Sequence, residues 1–151
     1  MLTKLYDVKK GKYLEVNYNE DNHELSTCIK FNHRYTDYCF GTLRLNKEQI
    51  KSYINILTSF WSKVDSNQKV PPGKIHIENN CIKTMYTKRD NGRLSKEEKG
   101  DYLKISYFFR APELEDEEFS TIVLDRNESR NLYKILKSSL NHIESNENAE
   151  N

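Results

Sequence analysis

Gly11-Lys-Tyr-Leu-Glu-Val-Asn-Tyr18 returns later in the chain as Gly100-Asp-Tyr-Leu-Lys-Ile-Ser-Tyr107. Gly, Tyr, Leu and the final Tyr are identical, and Val/Ile and Asn/Ser are exchanged like for like. Both stretches alternate with period two, as a strand with one buried face does. Leu14, Val16 and Tyr18 point one way and Tyr13, Glu15 and Asn17 the other. The glycine ahead of each stretch marks a tight turn between strands. A second pair of blocks follows in the same order. Phe40-Gly-Thr-Leu-Arg-Leu-Asn-Lys-Glu-Gln-Ile-Lys-Ser-Tyr-Ile-Asn-Ile-Leu57 matches Phe119-Ser-Thr-Ile-Val-Leu-Asp-Arg-Asn-Glu-Ser-Arg-Asn-Leu-Tyr-Lys-Ile-Leu136. The offsets are 89 and 79 residues, so the first copy is expected to hold ten more residues between its blocks. Two matched blocks in one order read as an internal duplication.

The second block changes period part-way. Leu43 and Leu45 alternate, as do Ile122 and Leu124, and then Asn46 or Asp125 stands where a helix N-cap belongs. Gln49 and Glu128 follow three residues later, the spacing of a capping box. Beyond the cap the apolar spacing is helical: Ile50, Tyr53, Ile54, Leu57 and Trp61 in one copy, Leu132, Tyr133, Ile135, Leu136, Leu140 and Ile143 in the other.

Further strands are expected at Leu2–Val8, Leu25–Phe31, Lys74–Ile77 and Cys81–Lys88, with a turn at Asp90-Asn-Gly92 and a polar loop up to Gly100. The expected fold is α+β, an internal duplication of a four-stranded antiparallel sheet followed by one helix (β-β-β-β-α twice). The first repeat covers residues 1–64 and the second 74–143. Residues 65–73 form a linker stopped by Pro71 and Pro72. The tail 144–151, Glu-Ser-Asn-Glu-Asn-Ala-Glu-Asn, has nothing to anchor it in a core and is expected to be disordered and acidic.

In 151 residues no stretch approaches the ~18 apolar residues of a membrane span. The first residues alternate and do not build the apolar segment of a signal peptide, so a cytoplasmic location is expected. Cys28, Cys39 and Cys81 are odd in number and far apart, and His23, His33, His76 and His142 form no ligand pair. The cysteines therefore read as small apolar strand residues, with no metal and no cofactor expected. The net charge of +1 is lopsided: residues 1–110 balance at +7 and residues 111–151 at −6. An anionic ligand would favour the first part and avoid the loop Glu113-Leu-Glu-Asp-Glu-Glu118 and the tail.

One helix covers one face of a four-stranded sheet, so the other face needs a second sheet, a partner or a ligand. That face is expected to collect Tyr13, Asn17, Lys30, Phe40, Thr42 and Arg44 from the first repeat. The second repeat adds Tyr102, Lys104, Ser106, Phe108, Arg110 and Thr121. Aromatics interleaved with cations suit single-stranded nucleic acid, because bases stack on rings while Lys and Arg follow phosphates. The same rings would equally serve packing against a second sheet or subunit.

The blocks Gly11–Tyr18 with Gly41–Leu57, and Gly100–Tyr107 with Ser120–Leu136, resemble the Pur repeat of purine-rich-element-binding proteins. The Whirly family and the single-strand-binding transcriptional coactivators share a similar topology. The resemblance implies single-stranded DNA or RNA bound on the sheet surface, by two repeats packed together and assembled as a homodimer or higher homo-oligomer. The near-neutral charge and the Glu113–Glu118 loop depart from that pattern.

An enzyme would need convergent titratable groups, and no GxSxG, P-loop or HExxH occurs. Adjacent carboxylates in Glu115–Glu118 hold no fixed separation for acid–base work, and Arg89, Asp90 and Arg93 read as a surface turn. The reading is therefore of a binding protein and not an enzyme. The rival is an oligomeric interaction or inhibitor module whose acidic loop and tail dock on a basic partner.

Overall fold

The order of elements follows from where the apolar period switches. A computed structural model describes residues 1–32, 34–39, 41–88, 100–110 and 117–150. The first unit comprises β1 (Leu2–Tyr6), β2 (Lys12–Asn19), β3 (Glu24–Phe31), β4 (Leu43–Leu45) and α1 (Lys47–Asp65). The second comprises β5 (Gly73–Ile77), β6 (Asn80–Lys88), β7 (Asp101–Phe109), β8 (Glu118–Leu124) and α2 (Arg126–Glu150). Each unit is a four-stranded antiparallel meander, ordered β1-β2-β3-β4 and β5-β6-β7-β8. The duplicated β4α architecture is therefore present. The turn at Asp90–Gly92, the rest of the polar loop up to residue 99, Arg89 and Arg93, and the acidic residues 113–116 lie outside the described residues.

Two local expectations are corrected. Gly11–Tyr18 falls on the second strand of its unit, whereas Gly100–Tyr107 falls on the third. The likeness of these blocks marks a shared situation and not topological equivalence. Both β2 and β7 are central strands with neighbours on either side and an inner face in the core, so both need the same alternation. Gly11 lies in the turn between β1 and β2 as expected, and the positive backbone angle of that turn belongs to Lys10 (φ 61°). Residues 144–150, expected to lack order, continue α2. No Gly or Pro interrupts them, and Glu147 pairs with Lys47 at 2.7 Å.

The caps explain where the helices begin. Asn46 accepts the Gln49 N–H at 2.8 Å, and the Gln49 side chain accepts the Asn46 N–H at 2.9 Å, a complete capping box. Asp125 likewise accepts the Glu128 N–H at 2.8 Å. The Glu128 carboxylate, however, turns to the other repeat and accepts the Tyr6 N–H on β1 at 2.7 Å.

The two units share one core. It runs from Leu5, Leu14, Val16 and Ile29 through Ile50, Tyr53 and Leu57 to Ile82, Leu103, Ile105, Ile122, Leu132 and Leu136. Each helix reaches the other unit: α1 lies against β5, and α2 lies against β1. The helices also pack on each other, where the Trp61 indole N–H donates to Ser129 Oγ at 2.7 Å and the Arg126 guanidinium stands 4.6 Å from the Trp61 ring centroid. Gly41 approaches Phe109 so closely that an added Cβ would sit 2.9 Å from the ring. A buried hydroxyl chain crosses the same boundary. Tyr107 Oη lies 2.9 Å from Thr27 Oγ1 and 3.3 Å from Tyr53 Oη, and Thr27 donates to the Glu15 carbonyl at 2.9 Å. Burial holds both phenols well above their ordinary pKa, so they stay neutral. Among the described residues no helix is long and apolar enough to cross a membrane.

Candidate nucleic-acid interface

The strand register decides which side chains share the outer faces, the faces turned away from the core. On the second sheet one row runs Lys74, Lys83, Ser106, Thr121 across the four strands. On one side of it lies His76, Cys81, Phe108, Phe119, and on the other Met85, Lys104, Val123. Period-two alternation therefore gathers three lysines and two phenylalanines on one surface. They line an open groove of about 440 Å³ together with Met85, Ser106 and Thr121.

Phe108 and Phe119 stack with centroids 5.3 Å apart and planes 21° apart, and the Lys83 ammonium stands 4.3 Å from the Phe108 centroid. Phe119 is 58% exposed and Met85 50%. At the groove floor the hydroxyls of Ser106 and Thr121 are 2.8 Å apart. Among the described residues Lys74, Lys83 and Lys104 have no carboxylate partner, and no acidic side chain lines the groove. Glu118, next to the exposed Phe119, pairs with Phe109 and so belongs to the opposite face.

The first sheet is different. Tyr13, Lys30, Asn17 and Arg44 do lie on its outer face, opposite Leu14 and Val16. Yet Tyr13 is 3% exposed and cannot offer its ring to a base. The segment after β3 is laid against it: the Tyr13 hydroxyl donates to Asp37 at 2.8 Å, and Tyr38 pairs with Phe31. Burial, followed by the Asp37 carboxylate, pushes the Tyr13 phenol up to about 12. Lys30 is held by Glu15 at 2.9 Å, which raises its pKa, and Arg44 is paired with Glu24 at 3.2 Å. The expected site is thus divided. Its first-repeat cations are neutralised and Tyr13 is covered, while Phe40 lies outside the described residues.

In the second repeat, Lys104 and Phe108 lie on the outer face and line the groove. Tyr102 is on the same face but only 9% exposed, and Arg110 stands past the end of β7, where its N–H donates to Asn80 at 3.0 Å. Sequence reasoning missed Lys74, Lys83, Met85 and Phe119. A signal for them existed, since each falls on the outer parity of its strand once the strand ends are fixed. Cys39, expected on a strand, lies in the segment between β3 and β4, whereas Cys28 and Cys81 are buried strand residues.

No family model matches this chain, and no curated protein matches it. Solved structures do. The chain is similar to the crystal structures of trypanosoma bruciei MRP1/MRP2, with a TM-score of 0.58 and 10% identity over 93% of this chain and 82% of that one. It is also similar to a guide-RNA-binding protein complex bound to a gRNA, with a TM-score of 0.59 and 10% identity over 93% of this chain and 90% of that one. At this identity the likeness is one of fold, and it extends over nearly the whole chain.

Proposed function

We propose that this protein binds single-stranded RNA on the outer face of its second sheet. The observation that carries the reading is the groove of Lys74, Lys83 and Lys104 around the stacked Phe108 and Phe119, with no carboxylate among the described residues of its lining. An exposed ring offers a stacking platform to any base, worth about 1–3 kcal/mol per base, and the lysines follow the phosphates. A duplex would bury its base faces and forfeit the stacking. A structure of similar fold is a complex bound to a gRNA, which supports RNA, and the resemblance of the sequence blocks to Pur repeats implies single-stranded DNA or RNA on a sheet. Homo-oligomer formation belongs to the same proposal.

The test is a titration of labelled oligouridylate of about 12 nucleotides, and of a duplex of equal length, at two salt concentrations. The single strand should bind more tightly and lose affinity with salt. Phe119→Ala should weaken binding about tenfold while leaving the far-UV spectrum unchanged. Light scattering on the free chain reads the oligomer. Absence of binding at low salt would overturn the RNA reading in favour of a protein-interaction module.

A further inference from the structure

The first repeat lends the second sheet something that neither repeat holds alone. Val123, on the free edge of β8, pairs across with Lys104 in the groove. Its other side is met by the β1–β2 turn: the Val8 N–H donates to the Val123 carbonyl at 3.0 Å, and the Asp7 carboxylate accepts the Val123 N–H at 2.7 Å. The turn is firmly built. Asp7 is buried, its carboxylate also takes the Lys9 N–H at 2.8 Å, and its carbonyl takes the Lys10 N–H at 2.8 Å. On the other flank Asn32 bonds to the carbonyls of Lys10 and Gly11 at 3.3 and 3.2 Å.

This frame presents Lys9, Lys10 and Lys12 within four consecutive residues. Among the described residues none of them has a carboxylate partner. The only acid of the turn, Asp7, is committed to backbone amides. Lys12 instead stands 5.9 Å from the Phe31 centroid, and Phe31 stacks on the half-exposed Tyr38 with centroids 5.4 Å apart and planes 24° apart. A lysine over one ring of a stacked pair is also the arrangement of Lys83, Phe108 and Phe119. Strand spacing puts the turn roughly 10 Å from Lys104 across β8.

We infer that the turn Asp7–Lys12, with Tyr38 beside it, is a second station for the strand held on the second sheet, its lysines taking phosphates and Tyr38 a base. This rests on the RNA reading above. The ligand would leave the groove across β8 and continue onto the first repeat.

Ligand length separates the two ideas. A strand of about four nucleotides fits the groove, whereas one of about twelve reaches the turn. With the longer strand, the full-length variant K9Q/K10Q should bind about tenfold more weakly at low salt, and its salt slope should fall by about 1.4, the value for two phosphate contacts on a single strand. Tyr38→Ala should weaken the longer strand only. With the shorter strand both variants should match the parent, while Phe119→Ala should still lose affinity. If K9Q/K10Q and Tyr38→Ala bind the longer strand as the parent does, and Phe119→Ala does not, the second station is overturned and the groove stands. If the parent binds neither strand, both fall.

Discussion

Single side chains decide how the two repeats are locked together, and Tyr107 is the clearest of them. Its hydroxyl serves both Thr27 and Tyr53, so Tyr107→Phe leaves Tyr53 buried without that partner, while Thr27 keeps the Glu15 carbonyl. The expected loss is about 1–3 kcal/mol in urea unfolding, and Tyr53→Phe should cost less because Tyr107 retains Thr27. Ser120 offers the opposite case. Its hydroxyl is buried with no hydrogen-bond partner among the described residues, so Ser120→Ala should leave unfolding stability unchanged or raise it. Alkaline pH tests the covered face of the first sheet. Tyr13 has its pKa raised from 10.0 to about 12, and burial raises that of Cys28 from 9.0. A raised folded pKa favours the neutral form, so this contribution is complete below about pH 9 and is lost as pH climbs towards 12. Urea unfolding across that range should show a decline that Tyr13→Phe makes shallower.

At the scale of elements, the caps were legible because capping is local chemistry: an Asx side chain and the residue three places on suffice. What Glu128 does was not legible, because its partner Tyr6 is 122 residues away. Glu128→Gln keeps an acceptor but removes the charge at the helix N-terminus, and should cost about 0.5–1 kcal/mol. Glu128→Ala, which also strands the Tyr6 N–H, should cost more, and guanidine unfolding of the two variants separates the effects. The strands were legible from alternation alone. Their pairing order was not, and so β2 was matched with β7: periodicity reports a buried face without saying which neighbour covers it. The helical tail was missed for a related reason. Composition predicts that a polar segment has no core to join, but Lys47 holds Glu147 from a distance of 100 residues along the chain.

For the whole molecule, the shared core and the cross-packed helices make the repeats one folding unit. Trp61, the single tryptophan, sits where α1 meets α2 and reports on that seam. Its fluorescence and the far-UV signal should therefore trace one coincident transition in urea, and two separated transitions would show repeats that unfold independently. The candidate site was half legible at this scale. Which residues face outward follows from parity, so Lys104 and Phe108 were found. Which outer face stays open depends on where the segment after β3 lies, and that segment has no periodicity to read. Duplication has thus produced unequal twins. With Tyr13 sealed beneath Asp37 on one side and Phe119 bare on the other, the proposed RNA reading makes the protein monovalent. Each copy would grip a single strand and could not by itself tether two, so any bridging between transcripts would have to come from assembly of several copies.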